Sequence, residues 1–489
     1  MKRIKTTVAL LLLISAGSTA QTLSLDSCRR LALTNNKTLA IGRAKTEKAF
    51  YEQKAAKTNY LPKVSLAGSY VRTGDEISLL NKDQKSALTG MGTNAATSIS
   101  QAATQIAQQN PDLAPLIEQS SGLITQMGAT LNGVGQGIVD AFRTDTRNFT
   151  TAAIMLTQPL YMGGKIRAYD RITHYSEEVA KEALRGEAQE VVLEVDQAYW
   201  QVVSLTAKRR LAISYRDMLA HLNDDVQKMI TEGVATKSNG LAVSVKLNEA
   251  EMALTKVDNG LSLSRMLLCQ VCGLQLNTPV HLADEDLEDF PIATSEAQAD
   301  TATAFANRSE LQQLQLATDI YREKVNIERS AFLPQVAFMG GYLTTNPSLF
   351  NGFEKRFRGT WAVGVTLKVP IWNWGEMRYK VRAAKAEAAI AAYRYDDARE
   401  KIALQVTQSA QRVNEANRQL QLSLTNLDKA EENLRTAQAG FAESVVTTSD
   451  LLAAHTAWLQ ANSEKIDAQI NVRLTEATLS KSLGTLTDK

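Results

Sequence analysis

The fold is decided by a stretch that occurs twice, centred on the loops Glu232-Gly-Val-Ala-Thr-Lys-Ser-Asn-Gly-Leu241 and Glu443-Ser-Val-Val-Thr-Thr-Ser-Asp-Leu-Leu452. Shifting the sequence by 211 residues places Lys165–Gly273 on Glu376–Gly484 without a gap. Both copies lack proline, contain little glycine and carry charges throughout. Such segments favour helix, so each copy is predicted to be an antiparallel helical hairpin from one duplicated unit.

The helices of both hairpins carry a coiled-coil pattern. From Ile402, apolar or small residues recur at steps of four and three, and Val191, Val195 and Ala198 begin the same seam in the first copy. This spacing is close to the 3.5-residue period of a coiled coil. A helix from Lys165 to about Glu232 would be on the order of 100 Å long at about 1.5 Å per residue. Such a helix needs neighbouring helices along its whole length.

The first twenty residues are predicted to be an export signal, with basic residues before a short apolar run, Val8–Ile14, and small residues at the cleavage site. No later segment reaches about 18 consecutive apolar residues, so no transmembrane helix is predicted. Removing the signal takes away Lys2, Arg3 and Lys5, and the formal charge of +2 becomes −1. That balance excludes the basic footprint of a nucleic-acid-binding protein.

The rest of the chain divides into two repeats around a connector at 274–294, an α+β arrangement that is mostly α. The first repeat, 21–273, is predicted to contain a helix at 23–60, strands at 63–72 and 147–158, a polar loop at 74–141 that could include short helical pieces, and the hairpin 165–273. The second repeat, 295–489, is predicted to contain a helix at 295–331, strands at 335–343 and 361–369, a loop at 344–359 and the hairpin 376–484. The segment from Pro62 to Pro159, which contains the first loop, is 61 residues longer than its counterpart from Pro334 to Pro370, and insertions of that size belong at exposed loop tips.

The strand at 361–369 has the clearest pattern of the four. Val363, Val365 and Leu367 point to one face, and small or polar residues point to the other. Strands of about 9 residues with this alternation fit a transmembrane β-barrel, in which these three residues would face lipid. A soluble four-stranded sheet packed on helices explains the strands equally well. Four strands cannot close a barrel, so a barrel would require several chains to pool their strands.

This order of elements, twice over behind an export signal, resembles the TolC-like outer membrane efflux protein family. The resemblance is carried by Leu61-Pro62 and Leu333-Pro334 before the first strand of each repeat, by the hairpin loops, and by the strand exits Leu156-Thr-Gln-Pro-Leu-Tyr-Met-Gly-Gly164 and Leu367-Lys-Val-Pro-Ile-Trp-Asn-Trp-Gly375. In those exits, Pro159, Gly164, Pro370 and Gly375 are expected to form the turns that leave the strands.

The resemblance implies a homotrimer whose twelve strands form a β-barrel in the outer membrane and whose helices form a periplasmic α-helical tube. Its function would be that of a passive exit duct in tripartite efflux or type I secretion. The implied partners are outer-membrane lipid, a periplasmic adaptor protein and an inner-membrane transporter of the RND, ABC or MFS type. The loops at 74–141 and 344–359 would be extracellular.

The hairpin loops would form the periplasmic tip, which is both gate and adaptor contact. The residues expected to act there are Gly233, Thr236, Asn239, Ser444, Thr447 and Asp450. The family's loops tend to pair a glycine with an acidic residue six positions later. Here Gly233 keeps the glycine but Asn239 replaces the acid, and Asp450 keeps the acid but Ser444 replaces the glycine. Three copies of Asp450 would form a carboxylate ring that favours cations. Asp450 is alternatively a helix N-cap, and both roles are compatible.

Catalytic, cofactor and metal sites are not expected. The four histidines are scattered, and Lys165 after Gly163-Gly164 does not complete a P-loop. Cys269 and Cys272 form a CxxC that is interpreted as small helix-packing residues rather than a redox or metal motif. The alternative to a duct is a secreted or periplasmic coiled-coil scaffold with a small sheet domain.

Overall fold

The structure of the protein is a computed structural model that describes residues 21–74, 80–142, 147–287, 296–350 and 354–486. The predicted export signal and part of the predicted connector lie outside these ranges. The chain divides into two compact units. One is helical and comprises Met1–Ala56, Lys165–Arg329 and Trp374–Lys489; the other contains the main sheet and comprises Lys57–Gly164 and Ser330–Asn373.

The elements follow in the order β1 (Gln21–Leu23), α1 (Leu25–Asn35), α2 (Lys37–Lys57), β2 (Lys63–Arg72), α3 (Lys82–Thr89), α4 (Met91–Gln109), α5 (Ala114–Ala141), β3 (Asn148–Met162), α6 (Lys165–Thr231), α7 (Lys237–Val271), β4 (Val280–Leu282), α8 (Thr301–Asn307), α9 (Ser309–Ser330), β5 (Gln335–Asn346), β6 (Arg358–Lys368), α10 (Glu376–Ala442) and α11 (Thr448–Leu483). Short 3₁₀ turns occupy Thr58–Tyr60 and Pro111–Leu113.

The two predicted helical hairpins are confirmed. α6 and α10 each have 67 residues, and α7 and α11 have 35 and 36. Both hairpins end on a glycine with left-handed backbone, Gly273 at φ +72 and Gly484 at φ +76. A Cβ on Gly273 would lie 2.9 Å from the backbone of Asn35, and one on Gly484 would lie 2.8 Å from that of Asn307. Each hairpin therefore ends against the last residue of its own repeat's first helix, and only glycine fits there.

The prediction of single helices at 23–60 and 295–331 is wrong, because each segment forms two helices. The first breaks at Asn36, whose side chain donates to the carbonyl of Val271 at 3.0 Å and accepts the amide of Thr38 at 2.8 Å. The second breaks at Arg308, whose guanidinium donates to the carbonyl of Ser482. In both repeats a polar side chain at the break binds the end of the hairpin.

A two-stranded parallel sheet was not anticipated. β1 pairs with β4, and Gln21 lies opposite Val280. β4 belongs to the segment that was predicted to be a connector without secondary structure. The core of the helical unit lies against this pair, where Val195, Tyr199 and Val202 of α6 meet Leu268 of α7 and Leu282 of β4.

The prediction of a polar loop with at most short helical pieces at 74–141 is wrong, because the described part of this segment is mostly helix and α4 and α5 have 19 and 28 residues. α3 begins with a capping box in which Asn81 and Gln84 satisfy each other's backbone amides. α4 and α5 approach closely at glycines: a Cβ on Gly92 would lie 2.0 Å from the carbonyl oxygen of Gly128. The small polar residues that resembled a loop are the residues that allow this close helix packing.

The main sheet has the order β2-β3-β5-β6, and all neighbouring strands are antiparallel. β3 continues through Pro159 to Met162, so the prediction that Pro159 closes the strand is wrong. The pairing with β5 shifts between Pro159 and Tyr161, which accommodates a residue that cannot donate to the ladder. β5 extends to Asn346 and β6 starts at Arg358, which leaves a shorter connection than the predicted 344–359 loop.

Candidate functional sites: the hairpin loops and the four-stranded sheet

The two hairpin loops have the same backbone conformation, position by position. Gly233 and Ser444, related by the offset of 211, both have left-handed backbone at φ +79 and +59. The amide of Val234 donates to Met229 and that of Val445 to Gly440, each at 2.8 Å. Ser444 therefore adopts a conformation that favours glycine, and the loop geometry tolerates the replacement.

Thr236 and Thr447 are the residues that begin the returning helices. The hydroxyl of Thr447 accepts the amide of Asp450 at 3.2 Å and donates to its Oδ2 at 2.7 Å. Thr236 makes the same pair of bonds with Asn239, at 3.3 and 2.8 Å. The alternative interpretation of Asp450 as the N-cap is therefore wrong, because Thr447 holds that position and Asp450 lies three residues into the helix.

The side chains at the loop tips differ in exposure and in charge. Asp450 is exposed, whereas Asn239 is half-buried. At the turn itself Val234 is 64% exposed and Val445 is 81% exposed, again at equivalent positions. Sequence reasoning missed these valines, although an apolar residue in the middle of each loop sequence was a visible signal. The loops thus offer a partner two exposed valines and the carboxylate of Asp450, together with Lys237 in the first loop and the exposed glutamates Glu232 and Glu443 where the loops begin.

The two hairpins are packed together immediately behind the loops. Leu219 and Val226 of α6, Val243 of α7, and Leu434 and Leu451 from the other hairpin belong to one apolar cluster. His455 is buried next to it, and its Nδ1 has no hydrogen-bond partner among the described residues. Burial lowers the pKa of His455, so the imidazole is neutral near pH 7.

The strand register places one apolar face across the whole sheet. Residues directly opposite each other share a face, and the face of Val363, Val365 and Leu367 continues through their β5 partners to β3 and β2. Gln158, Thr150 and Thr344 also lie on this face, and its other members include Trp361, Val363, Val365, Leu367, Val336, Phe338, Gly340, Tyr342, Ala152, Ile154, Leu156, Val64, Leu66 and Tyr70. The three residues predicted to face lipid are each more than 60% exposed.

The opposite face carries more small and polar side chains, together with Met155, Met339 and Leu343. Its members include Ala362, Gly364 and Thr366 of β6, and Ser69 with Thr151, whose hydroxyls lie 2.8 Å apart. The outer strands β2 and β6 each pair on one side only, and nearly every residue of both is exposed. The sheet therefore has one lipid-compatible face, one water-compatible face and two open edges.

The predicted exit turns fall where the sheet unit ends. Gly164 and Gly375 both have left-handed backbone, at φ +86 and +80. The preceding residues, Gly163 and Trp374, are left-handed as well, so this turn is also duplicated. Pro370 lies two residues beyond Lys368, the last residue of β6, whereas Pro159 lies within β3.

The three cysteines converge in the core of the helical unit. Cys28, Cys269 and Cys272 are all buried, and Cys272 lies against Cys28 of α1. A hydrogen bond from the Cys272 thiol lowers the pKa of Cys28, and burial raises that of Cys269. Within the described residues, no three His, Cys, Asp or Glu side chains are arranged to hold a metal ion. In those same residues, every helix is too short or too polar to span a bilayer.

The model of one protein family, described as outer membrane efflux protein, matches residues 302–485. That match covers α8 to α11, with the sheet strands β5 and β6 between them. The matched segment indicates an outer membrane efflux protein of the TolC type.

Two relatives of this chain extend the match beyond the second repeat. It is 21% identical to the outer membrane protein TolC of Escherichia coli over 432 residues, which are 82% of this chain and 86% of that one. It is 24% identical to the alkaline protease secretion protein AprF of Pseudomonas aeruginosa over 352 residues, 68% of this chain and 69% of the relative.

Solved structures of other proteins share the fold of this chain. CusC superposes with a TM-score of 0.71 at 14% identity, covering 97% of this chain and 95% of that chain. The CmeC outer membrane channel of Campylobacter jejuni gives a TM-score of 0.72 at 14% identity, covering 94% and 86%. The sheet with its open edges and the duplicated hairpins are thus the fold of an outer membrane channel.

Proposed function

We propose that three copies of this chain form an outer-membrane exit duct for an efflux or type I secretion system. The observation that carries this proposal is the pair of open sheet edges. An isolated four-stranded sheet with one apolar exposed face cannot satisfy its edge hydrogen bonds in lipid, where only closed barrels are tolerated. Pairing β6 of one copy with β2 of the next, three times over, gives twelve antiparallel strands and no edge.

In this arrangement the apolar sheet face meets lipid and the small polar face lines the lumen. Thr366 and Gly364 leave the lumen open, whereas Val365 and Leu367 cover the outside. The export signal expected at 1–20 delivers the chain to the periplasm, where the long hairpins extend.

The loops at Gly233–Asn239 and Ser444–Asp450 are proposed to be the periplasmic tip. Exposed Val234 and Val445 supply apolar contacts for a periplasmic adaptor protein. The three copies of Asp450 form a carboxylate ring at the opening. The duct is passive, and an inner-membrane transporter of the RND, ABC or MFS type supplies the energy through the adaptor.

The test is the native mass of detergent-extracted protein from the membrane fraction, combined with electron microscopy. The expected result is a three-subunit particle whose helical section is near the roughly 100 Å that 67 residues span at about 1.5 Å per residue. A monomer or dimer that never enters the membrane fraction would overturn the proposal and support a periplasmic coiled-coil scaffold.

A further inference from the structure

The helical insert α3–α5 lies between β2 and β3, where its counterpart in the second repeat is a short connection. α4 and α5 form an antiparallel pair whose contact is made by glycines and by Asn132. The Asn132 Oδ1 accepts the amide of Gly92 at 2.8 Å, and its Nδ2 donates to the hydroxyl of Thr93 at 2.7 Å. Because glycines allow the backbones to touch, the larger side chains are left on the flanks of the pair.

One flank of the α4–α5 pair is polar. A groove between the two helices is lined by hydroxyls and amides, among them Thr97, Ser100 and Gln101 of α4 and Thr125 and Asn132 of α5. On a helix with 3.6 residues per turn, the positions opposite this groove lie on the other flank.

The other flank is apolar and exposed. On α5 it consists of Leu116, Leu123, Met127, Leu131, Val134 and Ile138, each at least 36% exposed and Leu116 65% exposed. On α4, Ile99 and Ile106 are exposed opposite the groove. The packed positions of α5, such as Gly128 and Gly135, lie about 100° around the helix from Met127 and Val134. α3 and α4 therefore cover only part of the apolar arc of α5.

The exposed residues of α5 follow an eleven-residue repeat. Leu116, Met127 and Ile138 follow one another at intervals of 11 residues, and Leu123 and Val134 are also 11 residues apart. An eleven-residue period is the pattern of helices that pack against one another with a slight right-handed supercoil. The flank therefore has the periodicity of a helix–helix interface.

We propose that the apolar flank of the insert packs against the same flank of the neighbouring copies, forming a helical collar on the assembled duct. This inference rests on the proposed function. The insert starts directly after β2, an open edge strand, so edge-to-edge joining of copies brings one insert beside the next. α4 and α5 carry Glu118 and Asp140 as their only charged residues, so little electrostatic repulsion opposes the contact.

A lipid surface fits the apolar flank less well than another copy does. Helices that lie in a membrane interface are rich in Lys and Arg on the polar face and often carry aromatic anchors. α4 and α5 contain no Lys, Arg, Trp, Tyr or Phe. The uncharged polar flank is instead suited to face water on the outside of a collar.

The test is cross-linking of Leu123→Cys on the full-length protein in membranes with a short bismaleimide, with Gln101→Cys on the polar flank as the matched control. The native cysteines are buried and are not expected to react. The expected result is covalent dimers for Leu123→Cys, at least tenfold more than for Gln101→Cys, since one thiol per copy can be linked to only one other copy.

The native mass of the same detergent-extracted samples separates the two proposals. A three-subunit mass with no preferential cross-linking of Leu123→Cys would overturn the collar and leave the duct intact. A monomeric mass would overturn both. Quenching of a fluorophore on Leu123→Cys by nitroxide-labelled lipids would also overturn the collar, because it would show that the flank lies in the bilayer.

Discussion

Arg29 of α1 holds the carboxylate of Asp196 of α6 through two hydrogen bonds, from Nε to Oδ1 and from Nη2 to Oδ2, each of 2.7 Å. The Asp196 side chain is almost fully buried. Burial raises the pKa of Asp196, against the opposing effect of the Arg29 guanidinium. The pair ties the first helix of the chain to the middle of the first long helix.

We expect Arg29→Met to destabilise the helical unit by about 3–5 kcal/mol, because it leaves a buried carboxylate without its partner. Asp196 would then hold its proton more tightly in the folded than in the unfolded protein, so the deficit should shrink as the pH is lowered. Thermal unfolding at several pH values measures this. The control is Lys45→Met, which removes an exposed partner of Glu187 and should cost about 1 kcal/mol or less. Equal losses for the two variants would contradict the assignment.

Val365 and Thr366 are adjacent in β6 and point to opposite faces of the sheet. If Val365 lies at the bilayer midplane, Val365→Arg should cost roughly 2–4 kcal/mol, because it places a charge in lipid. Thr366→Arg faces the lumen in the proposed duct and should assemble normally. The yield of trimer in the outer-membrane fraction measures both variants. Normal assembly of Val365→Arg would count against a lipid-facing sheet.

Asp450→Asn should weaken the cation preference of the duct without destabilising the loop, since the amide oxygen of asparagine can still accept the Thr447 hydroxyl. Removing one carboxylate about 4 Å from a cation removes about 1 kcal/mol of attraction in water, or roughly fivefold in affinity. Reversal potentials in planar bilayers measure the selectivity. Asn239→Asp should shift them in the opposite direction by adding a second set of carboxylates. If neither variant moves the reversal potential, the loops do not line the opening.

His455 should make the packing behind the loops sensitive to acid. Its folded-state pKa lies below the ordinary value of 6.5, so the unfolded protein binds the proton more readily. Stability is therefore full above about pH 6.5 and falls as the pH drops through that value towards the lowered folded-state pKa. Unfolding temperatures between pH 7.5 and 5 should fall less for His455→Gln than for the unsubstituted protein. His221→Gln, which removes an exposed imidazole, is the control and should change nothing.

The duplicated hairpins could be predicted from the sequence because helix boundaries, loop and glycine caps all recur at one offset. The breaks at Asn36 and Arg308 could not, since each depends on a side chain binding a hairpin end more than 170 residues away. The insert α3–α5 was predicted to be a loop because glycine and small polar residues have low helix propensity and favour turns locally. The same residues allow two helices to pack closely, but that contact exists only in the folded chain. At the second loop, Thr447 rather than Asp450 is the N-cap, because the helix begins three residues earlier than an Asp450 cap would place it.

The two hairpin loops have one backbone conformation but different charges. In a trimer, the number of binding sites on the ring of loops therefore depends on which feature a partner recognises. A partner that recognises the shape of the turn and its exposed valine finds six sites, three from Gly233–Asn239 and three from Ser444–Asp450. A partner that recognises the acidic residue in the first turn of the returning helix finds only the three from Asp450, because Asn239 stands at the equivalent position. An adaptor bound in six copies must therefore occupy two chemically distinct kinds of binding site, which alternate around the opening.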